Sequence, residues 1–439
     1  MIHAIRRHSL FGAGLWLLAA CGGDGGGGTP VGGSGVIDGP DFTIAPAHES
    51  RWIAGALDGE DWEVFGSIAD LIFNEAGDLF ILDEQAGHVV VFDRDGVYLR
   101  TISRQGEGPG ELTDPESISL LADGRLAVFD GGRNGIQFFT PEGEYAESAP
   151  FDPKQGAPRR VGAWLSDGSI ITAREFVVSG TAEAMSVSSS VGGTGDAPGR
   201  PLVRYRTDGT REPFYTAWEP PPPTGDAAEA SGGSFSFNLS PVRAFDAGLH
   251  FAALSDGRIA VVDSSGYRIR LIGEDGAVSE VLERPLTPTP VTNTVRSAER
   301  ERRLAELEGN RSPTTLSLAG RPDIRMPDDF ASQLQEALRA RIGEMTFAEV
   351  IPAIEALAVD FDDRLWVVRT PLPNEEGPID IVTPDARYLG TIQPGGLRVP
   401  DAFGPDGLMA YVDTHDLGYP IVRVVQLAPD APLTENRTP

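Results

Sequence analysis

From about Glu63 to Leu427 the chain repeats one pattern: a turn, a run of apolar residues, and often an aspartate. The copies are Ala76-Gly-Asp-Leu-Phe-Ile-Leu-Asp83, Asp123-Gly-Arg-Leu-Ala-Val-Phe-Asp130, Asp167-Gly-Ser-Ile-Ile-Thr172, Asp256-Gly-Arg-Ile-Ala-Val-Val-Asp263, Asp362-Asp-Arg-Leu-Trp-Val-Val-Arg369 and Asp406-Gly-Leu-Met-Ala-Tyr-Val-Asp413. Asp-Gly between two apolar runs signals a hairpin, because glycine supplies the positive φ of a tight turn. A second turn follows at Gly96, Gly143, Gly209, Gly276 and near Ala386, preceded by strands such as Val89-Val-Val-Phe92 and Ile136-Gln-Phe-Phe139. Two hairpins per copy predict four strands per unit.

The spacing locates the insertions. Gly77 to Gly96, Gly124 to Gly143 and Gly257 to Gly276 are each 19 residues apart, whereas Gly168 to Gly209 is 41. The excess matches a Ser/Gly/Ala-rich stretch at 179–200. A Pro/Gly/Ser stretch at 219–239 accounts for the long gap after Gly209, and a longer insertion spans 285–346. Within that insertion Thr294 to Leu307 is rich in Arg, Glu, Ala and Leu. Further on, Phe330, Leu334, Leu338 and Ile342 form one stripe on a helix opened by Pro327-Asp328-Asp329. Two helices are expected. Their polar faces carry both signs of charge, which favours docking on the chain's own body over a membrane surface.

Four-stranded units cannot each bury both faces alone, and radial stacking buries every face. The expected fold is therefore all-β, a six-bladed β-propeller with a small helical insertion, over residues 41–428. The last copy lacks an outermost strand, which an N-terminal strand near Phe42 to Ala54 would supply to close the ring. Residues 429–439 are left as a C-terminal tail.

The blades resemble those of the six-bladed propeller lipoproteins of bacteria, relatives of NHL-repeat propellers. The resemblance lies in Arg104-Gln-Gly-Glu-Gly-Pro-Gly-Glu-Leu112, in Pro352-Ala-Ile354 after the helical insertion, and in Val359-Asp-Phe-Asp-Asp-Arg-Leu-Trp-Val367. It covers roughly residues 50 to 427. It implies the fold, and it leaves function open because such propellers host binding modules and enzymes alike.

The N-terminus supplies a location. Arg6 and Arg7 precede an apolar run of 11 residues, Leu10 to Ala20, about half of what a bilayer-spanning helix needs. Residues 1–20 thus read as a secretory signal peptide. Leu18-Ala-Ala-Cys21 resembles the bacterial lipoprotein box, which implies acylation of Cys21, the chain's one cysteine. Residues 21–40, mostly glycine after the cysteine, read as a flexible tether. The expected location is lipid-anchored in the cell envelope, and the resemblance to such lipoproteins implies the outer membrane of a two-membrane cell, since Gly22 rather than Asp follows the cysteine.

Composition then excludes several chemistries. Lys+Arg 36 against Asp+Glu 65 leaves −29, a surface that repels nucleic-acid phosphates. The only lysine is Lys154, and one cysteine cannot build an intramolecular disulfide or a multi-cysteine metal site. The glycines at 106–110 precede no helix, and Pro109 and two glutamates argue for an interblade connection over a phosphate cradle. His415-Asp416 has no Gly-x-Ser-x-Gly partner and reads as a loop. Trp164, Trp366 and Phe129 are assigned to packing between blades. Asp83, Asp130, Asp263 and Asp413 are assigned to accepting backbone amides.

Counting back from each first turn reaches Asp70, Glu116, Arg160, His250, Glu355 and Asp401, the expected channel-mouth groups. They carry oxygens able to hold calcium and pairs able to do acid/base work. The favoured reading is a membrane-tethered propeller that binds a peptide, glycan or envelope protein, with no catalytic residue, metal ligand or cofactor assigned. The alternative is a calcium-dependent hydrolase or lyase with its site at the channel mouth.

Overall fold

The computed structural model describes residues 33–181, 184–191, 199–224, 228–232, 235–309, 315–316, 324–325, 328–429 and 433. The predicted signal peptide, Cys21 and the start of the tether lie outside them. Among the described residues the chain forms six blades.

The first blade comprises Ile68–Phe73, Leu79–Asp83, His88–Phe92 and Tyr98–Ile102, hydrogen-bonded in that order from the channel outward. The second is Pro115–Leu120, Leu126–Asp130, Gly135–Phe139 and Tyr145–Pro150. The third is Ala163–Trp164, Ile170–Thr172, Arg200–Tyr205 and Arg211–Ala217, and the fourth His250–Ala253, Ile259–Val262, Arg268–Ile272 and Val278–Glu283. Ile354–Val359, Leu365–Arg369, Ile379–Val382 and Tyr388–Ile392 make the fifth. In the sixth, Ala402–Phe403, Leu408–Thr414 and Pro420–Leu427 are completed by His48–Ala54. The N-terminal strand closes the ring as the pattern predicts.

Period-two alternation explains the ring. In the second strand of blade one, Leu79 and Ile81 join a cluster with blade six, while Phe80 and Leu82 join one with blade two. Further clusters fill the junctions of blades two and three, three and four, four and five, and five and six. Each strand spends one face on each neighbour, so no blade is stable alone. Trp366 and Phe129 sit fully buried in two of these junctions.

The recurrent Asp-Gly has a local cause. In blades one to four the first turn is a three-residue loop in which the glycine donates three residues back, as Gly124 does to the Leu121 carbonyl at 2.8 Å. Gly124 takes φ +84°, and Asp123 accepts the Arg125 amide at 3.1 Å. Asp167 and Asp256 accept the amides of Ser169 and Arg258 in the same way. Blade five has Asp363 at this place, with φ +61°, and its carboxylate is held by the Ser255 amide at 2.7 Å.

Two expectations need correction. The tether assigned to residues 21–40 ends earlier. Gly33–Val36 pairs in parallel with Val278–Glu283 on the outer edge of blade four, and Ile37 is fully buried. Thr43–Ile44 then pairs in parallel with Tyr388–Ile392 on blade five. Low apolar content did not prevent ordering, because an exposed sheet edge supplies unpaired backbone groups that glycine-rich chain can meet. Second, the insertion placed at 179–200 begins at Arg174. Arg174–Thr181 and Ala184–Val191 form a hairpin, and its base is anchored at Glu175, which accepts Arg211 Nε at 2.7 Å and Nη2 at 2.8 Å.

The helical insertion holds α1, Asn293–Gly309, and α2, Asp328–Gly343. Arg341 of α2 donates to the Ser240 carbonyl at 2.7 Å, and Arg300 of α1 lies 4.9 Å from the Phe347 ring centre. The helices dock on the chain itself, on segments that connect the blades and, for α2, on the hairpin formed by Ala228–Gly232 and Phe235–Leu239. Leu334, Leu338 and Ile342 are half-buried and Ala337 is buried, while the side chain of Phe330 lies outside the described ones.

Candidate functional site

The innermost strands run the same way through the ring, so their starts gather at one end of the channel and the first turns at the other. The insertion joins the end of blade four to the start of blade five, so it lies at the start end.

The six expected channel-mouth groups do not form one site. Asp70 is consumed by the wall: it accepts Ser117 Oγ at 2.7 Å, the Ile118 amide at 2.9 Å and the Leu71 amide at 2.9 Å. Ser117 Oγ in turn accepts Trp164 Nε1 at 2.8 Å, so a hydrogen-bond chain crosses blades three, two and one. Burial pushes the Asp70 carboxyl up, and those donors partly offset it. Asp401 accepts the Val412 amide at 2.8 Å and pairs with Arg398.

The other four separate into two places at the start end. Glu116 is half-buried, and its carboxyl is pushed up to about 7, first by burial and then by the charge of Asp114, with Arg160 opposing. His250 and Glu355 line a cleft of about 420 Å3 shared with Glu299, Arg302 and Arg303 of α1. Burial, and then Arg200, lowers the His250 imidazole, which favours its neutral form. Its ring leaves no room at Gly248, where a Cβ would fall 2.3 Å from Nε2. The sequence reading missed the α1 groups, although the i, i+3 and i+4 spacing from Glu299 to Arg302 and Arg303 was there to be seen.

The turn end opens on a cavity of about 1010 Å3 to which all six blades contribute. Asn74, Ser119, Ser166, Ser255, Phe361 and Phe403 come to it from six different turns and strand ends. It therefore exists only in the assembled ring.

Other sequence candidates resolve into structure. Asp83 accepts the amides of Gly66 and Ser67, and Asp130 those of Thr113 and Asp114, fixing the start of the innermost strand in each blade. Asp413 departs from the expectation, since its carboxylate is taken by Arg398 and Arg423 at 2.8 Å each. Asp263 accepts the Trp218 amide at 2.8 Å and also pairs with Arg270. In the loop at 106–110, Glu111 accepts the Gly108 amide at 2.8 Å, and Arg133 donates to the Gly106 and Gly108 carbonyls. His415 lies in a turn, stacked 4.4 Å from Tyr419. Among the described residues no group of three or more His, Cys, Asp or Glu is disposed to hold a metal ion.

Comparison with known proteins gives one family model and a set of distant structural likenesses. None of the curated proteins matches the sequence. A protein from Bacteroides fragilis, described provisionally as exported, is similar in structure at 10% identity and TM-score 0.44, over 90% of this chain and 99% of that one. A DUF4221-family protein from Bacteroides vulgatus is similar at 10% identity and TM-score 0.44, over 88% and 100%. Virginiamycin B lyase from Staphylococcus aureus is similar at 11% identity and TM-score 0.35, over 82% and 95%. Residues 56–153 match a family model described as a 6-bladed beta-propeller, and the six sheets and their junctions make the described residues between Gly33 and Leu427 a six-bladed propeller.

Proposed function

We propose that this protein is an exported propeller, tethered to the cell envelope through Cys21, that acts as a binding or scaffold module for an envelope ligand or protein. The observation that carries the reading is the turn-end cavity. Its volume is at the upper end of the range of ligand pockets, and residues from six blades present apolar walls together with hydroxyls, the Asn74 amide and the charged residues Glu75, Arg100, Asp360, Asp363 and Asp401. Asp363 and Asp401, which line it, are already committed to backbone amides, which suits a preformed receptor surface.

The calcium-dependent enzyme alternative finds no fitting ligand set among the described residues. Its remaining support is Glu116, a half-buried carboxyl brought close to neutral, as general acids and bases are.

Thermal shift on the soluble chain from Gly22 onward tests the reading. A panel of envelope glycans and peptides is screened against the wild-type protein and against Ser166→Trp, which blocks the cavity. Ligands that raise the wild-type midpoint and leave the blocked protein unchanged support it; equal shifts in both, or none in either, overturn it. A rise with calcium that a chelator reverses would favour the enzyme alternative instead. The tether is tested separately by Cys21→Ser, which should lose the lipid by mass spectrometry and leave the membrane fraction.

A further inference from the structure

The cleft at the start end is built differently from the turn-end cavity. Its polar groups belong to elements far apart in sequence: α1, the start of blade four, the start of blade five, and the blade-five loop that begins at Thr370. Glu299 is buried beneath it, 3% exposed, and organises two arginines. All three nitrogens of Arg302 are engaged, with Nε and Nη2 on Glu299 at 2.8 Å each and Nη1 on Glu306 at 2.5 Å. Arg303 gives only its Nε to Glu299, at 2.6 Å. The outer edge of its guanidinium has no partner among the described residues.

Thr370, His250, Glu355, Asn374 and Glu375 also line it with side chains that have no partner among the described residues. Thr370 Oγ1 is buried and makes no hydrogen bond. His250 is half-buried with neither ring nitrogen engaged by a described residue, and the exposed Glu355 carboxylate makes no ion pair with one. Unmatched polar groups at a buried position cost stability, so they mark places where something else completes the hydrogen bonding. A free guanidinium edge and a free carboxylate in one small cleft are complementary to a ligand that carries both signs of charge.

We infer that the cleft between α1 and the starts of blades four and five binds an amino acid or short peptide with free termini, its carboxylate on Arg303 and its ammonium on Glu355. His250 and Thr370 supply hydrogen bonds to the ligand's remaining polar atoms. The cleft volume of about 420 Å3 is at the small end of ligand pockets, which fits an amino acid or a few residues rather than a folded partner. This inference stands apart from the turn-end cavity, because Ser166→Trp leaves this cleft intact and the two sites can fail independently.

Isothermal titration calorimetry on the soluble chain tests it with alanine, trialanine, trialanine amide and N-acetyl-trialanine. At least one of the two ligands with free termini should bind, and which one does identifies the source. Blocking either terminus of the bound peptide should weaken binding at least tenfold; if alanine alone binds, alaninamide and N-acetylalanine take that part. Arg303→Gln should bind the acid and the amide equally, and Glu355→Gln should bind the free and acetylated forms equally. A merely structural role for either residue would not remove discrimination at one terminus alone. The inference is overturned if neither alanine nor trialanine gives heat at millimolar concentration. It is equally overturned if both variants, shown folded by their unfolding midpoints, discriminate as the wild type does.

Discussion

Arg284 Nη1 donates to Asp380 Oδ2 at 2.6 Å across the junction of blades four and five, and both side chains are buried. The pair belongs to a larger set. Arg284 Nη2 and Arg369 Nη1 reach the two oxygens of Asp41, at 2.6 and 2.9 Å, and Thr391 Oγ1 donates to Asp380 Oδ1 at 2.6 Å. Asp41 lies in the N-terminal segment between the strand on blade four and that on blade five, so the set pins this segment to the ring.

Removing one partner of such a buried pair strands the other. Asp380→Ala should therefore destabilise the protein by about 3–5 kcal/mol. Asp41→Ala should cost clearly less, because its side chain is 44% exposed and water can replace it. Urea unfolding of both variants checks this; equal costs would contradict the ranking.

The N-terminal segment contributes in two unequal ways. A chain starting at Ala45 loses the added edge strands of blades four and five and the buried Ile37, and should unfold cooperatively at a lower midpoint. A chain starting at Gly55 also loses His48–Ala54, the outermost strand of blade six. It should lose the cooperative transition in circular dichroism, because blade six is then left incomplete where the ring closes.

The blade-three hairpin should be separable from its base. Deleting residues 179–198 should keep a cooperative β-rich transition, since lengthening or shortening a surface loop costs only about 0.6 kcal/mol per doubling. Glu175→Ala should cost about 3 kcal/mol or more, because the carboxylate is buried and binds Arg211 and the Tyr205 hydroxyl. Guanidinium denaturation of the two proteins would show the contrast.

Glu116 ties stability to pH. Its carboxyl rises from the usual 4.5 to about 7 on folding, so the folded chain holds a proton that the unfolded chain releases between those values. The contribution is fully present below about 4.5 and is lost as pH rises through about 7. Glu116→Gln cannot ionise. Its stability relative to wild type should therefore increase from pH 4.5 to pH 8, as read from urea midpoints at both pH values; a constant difference would count against the assignment.

The blades were legible in the sequence because each is a local event: Asp accepts an amide two residues on, Gly takes the positive φ, and strict alternation spends one face on each neighbour. The insertions were legible because they interrupt that spacing, and the closing strand because blade six came up one strand short. What the sequence could not show was which polar groups remain free once the ring is assembled. Asp70 and Glu355 were both reached by counting back from their turns, yet Asp70 lies in register and is met by Ser117 of the next blade, whereas Glu355 stands at the strand's bulge, where blade one has Ala69, and no described partner reaches it. Likewise, nothing local in α1 places Arg303 over the start of blade five, and nothing in a glycine-rich tether shows that Gly33–Val36 will find the open edge of blade four. Those outcomes depend on long-range register and on unpaired edges, which exist only after the ring has closed.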